Sequence, residues 1–357
     1  MKSTCIITTS LGKGGAERFS AQLSIMLSQM PHEVHILMTK NDVDYEYAGT
    51  LYNLEKALGD NHSVFNKIKL LKLYFKQNNF DFIIDNRPRS VFLKELLLYH
   101  HIFKAKHIIS IVHSYFLKNY MPKSKILARF LYSKNFKIIA VSKEIHEILT
   151  NQYKLRSCLH VYNPLDLENI EKKANENIKI DERFILFYGR IEEQVKNFTL
   201  LIKAYNKSSL KEKGIKLYII GDGKDIGFLK KLVKDSGLDS MVVILPFTKN
   251  PFKFVNKALY TVLTSKHEGF PSVLIESLAC GTPVVSVDCK SGPKEIIQHK
   301  HNGLLVENHN PEALANAFNS FIEDRSLYLK CKSNAKNSIV KFSVENIAKE
   351  WNELLEA

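Results

Sequence analysis

Two carboxylates, Glu268 and Glu276, stand eight residues apart and enclose the stretch Gly-Phe-Pro-Ser-Val-Leu-Ile. Gly269 and Pro271 favour a loop, and the apolar residues beyond them predict a helix that starts at Ser272 with Ser272 as its N-cap. The free N–H groups and positive dipole end of such a helix suit a phosphate. Carboxylates accept strong hydrogen bonds from sugar hydroxyls. The pattern therefore predicts a ligand with a diphosphate between polyols, as in a nucleotide sugar.

Two cations complete this predicted site. Arg190 follows the apolar strand 184–188, and Lys196 comes six residues later in Gly-Arg-Ile-Glu-Glu-Gln-Val-Lys-Asn. Arginine and lysine side chains neutralise phosphate charges without a metal ion. Arg190 and Lys196 could therefore neutralise a diphosphate, in which case no cofactor and no metal is required; an exposed arginine and lysine near a helix start is the alternative interpretation. Asp42-Val43-Asp44 resembles a metal-binding Asp-x-Asp pair, but it lies in the other half of the chain and is interpreted as a surface feature.

Further candidate residues lie where predicted strands end, which is where ligands bind in doubly wound sheets. Gly14 and Gly15 follow the first strand, and glycine allows close backbone approach to a ligand. Glu17 stands where a dinucleotide fingerprint has its third glycine, so that fingerprint is incomplete. A simple tight turn is the alternative interpretation. The other strand-end candidates are Gly221, Phe247 and His113.

The elements that must position these residues alternate between strands and helices. Short apolar, β-branched runs separated by amphipathic segments predict parallel sheets covered on both faces. Two such arrays predict an α/β protein with two Rossmann-like doubly wound domains that face each other across a cleft. The boundary is expected near Val161–Leu165, followed by a polar linker over Lys172–Asp181. The strands expected are Cys5–Thr9, Glu33–Met38, Phe80–Ile84, His107–Val112, Phe136–Val141, Phe184–Tyr188, Lys216–Ile220, Met241–Leu245, Leu259–Leu263, Pro283–Val287 and Gly303–Leu305.

Composition limits the class of protein. The 357 residues are 45% hydrophobic and 25% charged, which is typical of a globular chain. The sequence has no apolar run of membrane-spanning length, and its N-terminus has too short an apolar stretch for a signal peptide. The five cysteines are scattered and form no metal-binding spacing. These features favour a reducing, cytoplasmic setting.

The net charge of +14 is concentrated in the first half of the chain. Residues 1–163 contain 23 Lys and Arg against 12 Asp and Glu, whereas residues 164–357 contain 28 against 25. One basic cluster, over 115–137, is interleaved with aromatic and aliphatic residues. This mixture suits an anionic membrane surface. A solvated face over ordinary core residues is the alternative, and no nucleic-acid-binding motif accompanies the charge.

The motif strings resemble those of family GT4, the retaining GT-B glycosyltransferases also called glycosyltransferase group 1. The resemblance rests on Glu268–Glu276 with the Gly-Thr-Pro-Val-Val that follows, on Gly-Gly-Ala-Glu-Arg after Lys13, and on the Arg190…Lys196 pair. It covers essentially the whole chain. It implies an acceptor-binding domain over 1–163, a nucleotide-sugar-binding domain over 164–340, and a last helix over 341–357 that returns to the first domain.

The resemblance also implies roles for individual residues. His113 would contact the donor sugar, Glu268 would bind sugar hydroxyls, Glu276 would bind the ribose, and Arg190 with Lys196 would stabilise the leaving diphosphate. The implied reaction is same-face transfer with retention, so the carboxylates are not the acid and nucleophile of a hydrolase. The residues implied to bind the donor are Gly14, Gly15, Arg190, Lys196, Gly221, Phe247, Glu268, Gly269, Phe270, Pro271, Ser272 and Glu276.

The chain is most similar in character to bacterial transferases that build O-antigen, capsule, lipopolysaccharide or lipid-linked glycans. We therefore expect a UDP-sugar donor, with N-acetylgalactosamine as the preferred sugar. The expected acceptor is a lipid-linked or lipopolysaccharide-type glycan at the inner face of the bacterial cell membrane, where the protein would be peripheral, with no nucleic-acid partner. Three alternatives stay open: a GT-B-fold sugar-nucleotide epimerase, a basic binding module without catalysis, and an NAD-dependent oxidoreductase.

Overall fold

A computed structural model describes residues 1–12 and 14–356 of the protein. The chain divides into two compact units. The first unit holds the residues up to Pro164 together with the final helix, and the second holds Leu165–Ser343. Each unit contains one parallel sheet.

The first unit is built on a seven-stranded sheet with the order β3-β2-β1-β4-β5-β6-β7 in the described residues. Its register places Ile6 beside Ile36 on one neighbour and beside Ile84 on the other. Such residues are buried on both faces, which explains why the central strands read as continuous apolar runs. The strands are Lys2–Thr8 (β1), His32–Met38 (β2), Thr50–Asn53 (β3), Phe80–Asp85 (β4), Ala105–Val112 (β5), Lys137–Ala140 (β6) and Cys158–His160 (β7).

Helices connect and cover these strands. The final helix buries Trp351, whose side chain is fully inaccessible, within this unit. Ser63 caps α3 by accepting a hydrogen bond from the backbone N–H of Asn66 at 3.2 Å. The helices are Gly15–Ser28 (α1), Leu54–Leu58 (α2), Val64–Gln77 (α3), Phe92–Leu97 (α4), Lys125–Leu131 (α5), Lys143–Glu147 (α6) and Val344–Glu356 (α16), with π-helical turns at Leu98–Ile102 and Ile148–Gln152.

The second unit is built on a six-stranded sheet, with the order β10-β9-β8-β11-β12-β13 across the described residues. All five residues of its central strand, Phe184–Tyr188, are buried. The strands are Phe184–Tyr188 (β8), Lys216–Ile220 (β9), Val242–Leu245 (β10), Thr261–Leu263 (β11), Val284–Val287 (β12) and Gly303–Val306 (β13). The helices are Leu167–Ala174 (α7), Glu193–Lys196 (α8), Phe198–Lys207 (α9), Ile226–Asp235 (α10), Phe252–Lys257 (α11), Ser272–Ala279 (α12), Pro293–Ile296 (α13), Pro311–Glu323 (α14) and Arg325–Asn334 (α15).

The structure corrects several expectations from the sequence. The expected linker over Lys172–Asp181 is partly helical, because α7 extends to Ala174 and buries Ile170. Strands β3 and β7 were missed because they are short and lack a continuous apolar run. No helix within the described residues is both long and apolar enough to cross a membrane.

The order in which successive strands are added to the sheet reverses between β1 and β4 in the first sheet and between β8 and β11 in the second, although all these strands are parallel. At such a switch point the loops that follow the two neighbouring strands leave in opposite directions, which opens a crevice at the carboxyl ends of the strands. The loops after β8 and β11 contain Arg190 and Glu268. The loops after β1 and β4 contain Gly14 and Asn86. The topology therefore assembles the predicted residues in two groups, one in each unit.

A substitution at Gly221 tests how closely the backbone is packed at the crevice of the second unit. An added Cβ at Gly221 would lie 1.9 Å from the carbonyl oxygen of Gly189, so we expect Gly221→Ala to lower the free energy of unfolding by about 1–3 kcal/mol. Urea denaturation measures the change. Gly227→Ala in α10 is the control, because no atom lies within 4 Å of its added Cβ. Equal stability of the two variants would contradict the close packing.

Candidate active site

The base of the second unit's crevice is made of backbone from two loops. Gly221 and Gly223 lie directly against the backbone of Gly189 and Ile191, with room for no side chain at either glycine. The N–H of Ile191 also donates to the carbonyl oxygen of Asp222 at 2.8 Å. These contacts fix the direction in which the chain leaves β8, and therefore where the next residues point.

Lys196 and Glu268 form the central contact of this crevice. The Lys196 ammonium lies 2.6 Å from Oε1 of Glu268, and the hydroxyl of Ser265 donates to the same oxygen at 2.6 Å. The Lys196 and Glu268 side chains are only 16% and 14% exposed. Oε2 of Glu268 accepts no hydrogen bond from the residues that the structure describes. One carboxylate oxygen is thus fixed by two donors.

The position of Lys196 is fixed by its backbone as well as by its charge. The hydroxyl of Thr264 donates to the carbonyl oxygen of Lys196 at 2.8 Å, and the N–H of Lys266 donates to that of Val195 at 2.8 Å. Asn197 adopts a left-handed conformation, ends α8, and caps α9 by accepting from the N–H of Leu200. The short helix is therefore fastened to the segment that leads to Glu268.

The loop that carries Glu268 is held by a second loop, residues 289–293. The N–H of Glu268 donates to the carbonyl oxygen of Lys290 at 2.6 Å, and the hydroxyl of buried Ser291 donates to that of Gly269 at 2.8 Å. Gly292 has a φ of 100°, and an added Cβ would lie 2.6 Å from Cδ of Pro271. Sequence analysis gave this second loop no role; the structure shows that it positions the Glu268 loop.

Helix α12 begins at Ser272, but Ser272 is not its N-cap. The N-cap is Pro271, which has no side-chain acceptor, so the expected Ser272 cap is wrong. Glu276 lies inside the helix and is 2% exposed. The hydroxyl of Tyr188 lies 3.2 Å from Oε2 of Glu276 and 2.8 Å from the carbonyl oxygen of Val273. Tyr188 had no predicted role, since it reads as the last residue of a buried strand.

The other donor-binding candidates differ in exposure. Arg190 is exposed and pairs with no carboxylate among the residues that the structure describes. Phe270 is buried and packs edge-on against Phe342, with ring centroids 5.3 Å apart. Phe247 is 39% exposed and borders a hollow of about 240 Å³ whose lining includes Ile220, Leu245, Pro246 and Phe254. This hollow lies where β9 and β10 end, on the same edge of the sheet as Arg190.

In the first unit, the glycine-rich loop is tied to the segment after β2. The N–H of Leu11 donates to the carbonyl oxygen of Asp42 at 2.9 Å, and an added Cβ on Gly12 would meet the Asp42 carboxylate. Asp42 is exposed, Asp44 is half-buried, and backbone hydrogen bonds attach both to this loop. Gly14 is the N-cap of α1, and Gly15 is the first residue of that helix. Lys13 lies outside the described residues.

His113 follows β5 and contacts the residues that follow β4. Its Nε2 forms a hydrogen bond with Oδ1 of Asn86, and its ring packs edge-on against Phe19 at 4.9 Å. Burial, together with the positive charge of Arg89, lowers the pKa of His113 to about 3. His113 is therefore an uncharged imidazole at neutral pH.

Arg89 is part of a buried charge network behind His113. Arg87 makes two 2.8 Å hydrogen bonds to the Asp85 carboxylate and one of 3.0 Å to Glu95. Arg89 donates to three backbone carbonyl oxygens and to the hydroxyl of Tyr132. Burial opposes ionisation of Asp85, but Arg87 and Arg89 keep its pKa below the usual value. Arg87 and Arg89 had no predicted role, because no sequence motif marks such a buried network.

Possible metal ligands are dispersed, and the thiols are buried, in the part of the chain that the structure describes. Over residues 1–12 and 14–356, no three His, Cys, Asp or Glu side chains meet as a set that could hold a metal ion. All five cysteines are buried and unpaired by disulfides. Burial raises the pKa of Cys158 and Cys280 to about 12 and that of Cys331 to about 11.

The two units together define a class of protein by their similarity to solved structures. The whole chain superposes on a mutant of S. aureus TarM, in complex with fondaparinux, alpha-GlcNAc-glycerol and UDP, with a TM-score of 0.82 at 16% identity and complete coverage of both chains. Anabaena HepE in complex with UDP gives a TM-score of 0.75 at 19% identity, again with complete coverage. The fold is GT-B, as the sequence predicted.

Sequence comparisons then give the family. "Glycosyltransferase Family 4" matches residues 13–169, and "Glycosyl transferases group 1" matches residues 168–338. The N-acetylgalactosamine-N,N'-diacetylbacillosaminyl-diphospho-undecaprenol 4-alpha-N-acetylgalactosaminyltransferase of Campylobacter jejuni is 32% identical over 98% of each chain. The amylovoran biosynthesis glycosyltransferase AmsD of Erwinia amylovora is 24% identical over 96% of each. The chain belongs to family GT4 and is a glycosyltransferase.

The low pKa of His113 predicts a pH dependence of stability. An imidazole with a folded-state pKa below its unfolded value of 6.5 stabilises the fold above pH 6.5, and this contribution is lost as pH falls toward 3. We expect His113→Gln to reduce the loss of unfolding free energy between pH 7 and pH 5, measured by urea denaturation. The control is His62→Gln at an exposed position. An unchanged pH dependence in His113→Gln would contradict the assignment.

Proposed function

We propose that the protein transfers a hexose or N-acetylhexosamine, with retention, from a UDP-sugar to a lipid-linked or lipopolysaccharide-type glycan. N-acetylgalactosamine is the preferred sugar, and the pathway is bacterial surface-glycan synthesis. The observation that carries the proposal is the Lys196–Glu268–Ser265 arrangement, which presents one carboxylate oxygen beside a cation. The full-length similarity to the Campylobacter jejuni enzyme, whose name specifies N-acetylgalactosamine transfer to a diphospho-undecaprenol glycan, supports the sugar and the acceptor.

In the proposed reaction, negative charge develops on the leaving diphosphate as the bond to the sugar breaks. Arg190 is exposed and can stabilise this charge. Lys196 gives one of its three N–H donors to Glu268 and has two left for the diphosphate. The N-terminus of α12 contributes free backbone N–H groups nearby. These groups favour departure of the diphosphate without a metal ion.

Glu268 suits binding of the donor sugar better than covalent catalysis. Its Oε1 is already engaged by an ammonium and a hydroxyl, which lowers the nucleophilicity of the carboxylate. Its Oε2 can accept from a sugar hydroxyl. Glu276, held by Tyr188 within helix α12, would accept from the ribose. Same-face attack, with the leaving phosphate oxygen taking the acceptor's proton, then requires no protein nucleophile.

Ligand-induced stabilisation tests the donor site. Without added metal, one UDP-sugar should raise the melting temperature of the protein, whereas GDP-, ADP- and CMP-sugars should not. Arg190→Ala should weaken UDP binding roughly tenfold to a hundredfold, because it removes charged hydrogen bonds to phosphate. Arg325→Ala, at another exposed arginine, is the matched control. A melting-temperature shift with NAD alone would overturn the donor assignment in favour of an oxidoreductase.

Glu268→Gln separates sugar binding from nucleotide binding. Glutamine keeps an acceptor for Lys196 but removes the charge, so we expect kcat to fall roughly a hundredfold. The affinity for free UDP, measured by calorimetry, should change little. Parallel losses of UDP affinity and of kcat would assign Glu268 to the nucleotide instead.

We also propose that the first unit binds to the anionic inner face of the cell membrane. Helix α5 exposes 71% of Ile126 and 54% of Phe130 beside Lys125 and Arg129. Nearby Phe116 is 44% exposed. Tyr120, Met121, Leu131 and Tyr132 from the same segment are buried, so only part of the aromatic cluster seen in the sequence is available. Apolar and cationic side chains on one face suit insertion at an anionic interface.

Sedimentation with vesicles tests this docking. The protein should bind vesicles that contain phosphatidylglycerol at low salt, and binding should weaken as salt rises because the charges are screened. The double variant Ile126→Ser, Phe130→Ser should bind less. Leu329→Ser, at an exposed leucine of the second unit, is the control. Binding that is indifferent to both salt and these variants would refute membrane docking.

A further inference from the structure

Asn86 forms a buried connection between helix α1 and His113. It follows β4 directly, is 2% exposed, and donates its backbone N–H to the carbonyl oxygen of Ile7 at 2.8 Å. Its side-chain Nδ2 lies 2.7 Å from the carbonyl oxygen of Ala16 and 2.6 Å from the hydroxyl oxygen of Ser20. Its Oδ1 faces Nε2 of His113. Both the NH₂ group and the carbonyl oxygen of the Asn86 side chain therefore form hydrogen bonds.

The orientation of this amide is determined by its surroundings. A backbone carbonyl oxygen can only accept a hydrogen bond, so the atom facing Ala16 must be the NH₂ group. The reverse orientation would bring two acceptor oxygens together. The atom facing His113 is then the carbonyl oxygen of Asn86, which can only accept. It follows that Nε2 of His113 carries the proton and donates it to Asn86.

The same argument fixes the protonation state of Nδ1, the other imidazole nitrogen of His113. A neutral imidazole that is protonated on Nε2 has a lone pair on Nδ1. Nδ1 receives no hydrogen bond from the part of the chain that the structure describes. Besides burial, the charged group that lowers the pKa of His113 is Arg89, because its buried guanidinium disfavours an imidazolium. Among the other groups around His113, Phe19 is apolar, and the hydroxyl of Tyr120 faces the His113 backbone.

We propose that Asn86 is a positioning residue that holds His113 as the neutral Nε2–H tautomer, so that Nδ1 accepts a hydrogen bond from a hydroxyl of the donor sugar. His113 then acts as a fixed acceptor and not as an acid. The identity of the hydroxyl rests on the proposed function, because the sugar comes from there. The tautomer itself does not depend on it.

The tautomer can be read directly by NMR on the intact protein. Long-range ¹H–¹⁵N correlation spectra of histidine-labelled protein distinguish an imidazole protonated on Nε2 from one protonated on Nδ1. The His113 signals are assigned by their loss in His113→Gln, since the chain has 13 histidines. We expect the Nε2–H pattern at pH 7, without ligand. An Nδ1–H pattern or an imidazolium would overturn the proposal, whether or not the protein transfers sugar.

Asn86→Asp tests the consequence for catalysis. A carboxylate beside the imidazole raises the pKa of His113 and favours an imidazolium, whose Nδ1 donates and no longer accepts. We expect kcat to be lowered roughly tenfold at pH 7 and to recover as pH rises and the imidazolium loses its proton. The wild-type enzyme should lack this acidic limb. A flat, low pH profile in a variant that unfolds cooperatively in urea would overturn the proposal, and the NMR pattern of the wild-type protein decides the tautomer if the variant is misfolded.

Ser20→Ala is the matched control. It removes the other acceptor of the Asn86 NH₂ group but leaves the contact with Ala16 and with His113. We expect this variant to keep both the Nε2–H pattern and the wild-type kcat. Activity in Asn86→Asp that equals that of Ser20→Ala at every pH would overturn the positioning role. If the wild-type protein transfers no sugar but shows the Nε2–H pattern, the proposed function fails while the tautomer assignment stands.

Discussion

The ion pair between Lys196 and Glu268 is the contact on which the arrangement of the second unit's crevice depends. It joins the segment after β8 to the segment after β11, the two strands that flank the switch point. Both partners are largely shielded from water, so the attraction is screened less than in a surface pair. Ser265 adds a neutral donor to the same oxygen. A buried pair of this kind is costly to break, because either partner alone would be left poorly solvated.

Much of this crevice could be predicted from the sequence because its residues lie at strand ends and helix starts, where short motifs are informative. Glu268 and Arg190 were found in this way. Lys196 was singled out as well, but its ion pair with Glu268 was not predicted, because pairing depends on strand order: β8 and β11 are neighbours although 72 residues separate Lys196 from Glu268. The hydroxyl of Tyr188 has no signature at all in a run of buried apolar residues. Its role is visible only once β8 and α12 are seen side by side.

The first unit shows the limit of arguments from charge. Its excess of basic residues suggested a polar surface, yet Arg87 and Arg89 are buried among carboxylates, carbonyl oxygens and tyrosine hydroxyls. Composition counts a charge but does not say whether it faces solvent. Pairing with Asp85 and Glu95 satisfies part of the buried charge, and backbone carbonyl oxygens and the Tyr132 hydroxyl accept the other hydrogen bonds. Exposed basic residues remain on α3 and on α5.

The buried state of all five cysteines also has a practical consequence. Thiol reagents attack the thiolate form, and burial that raises the pKa suppresses this form while also hindering access. The natural thiols should therefore not react with thiol reagents under mild labelling conditions. A cysteine introduced at an exposed position in each unit would then be the only reactive pair. Fluorescent dyes can thus be attached to the two introduced cysteines without first replacing the native ones. The distance between the dyes can then be followed during a catalytic cycle.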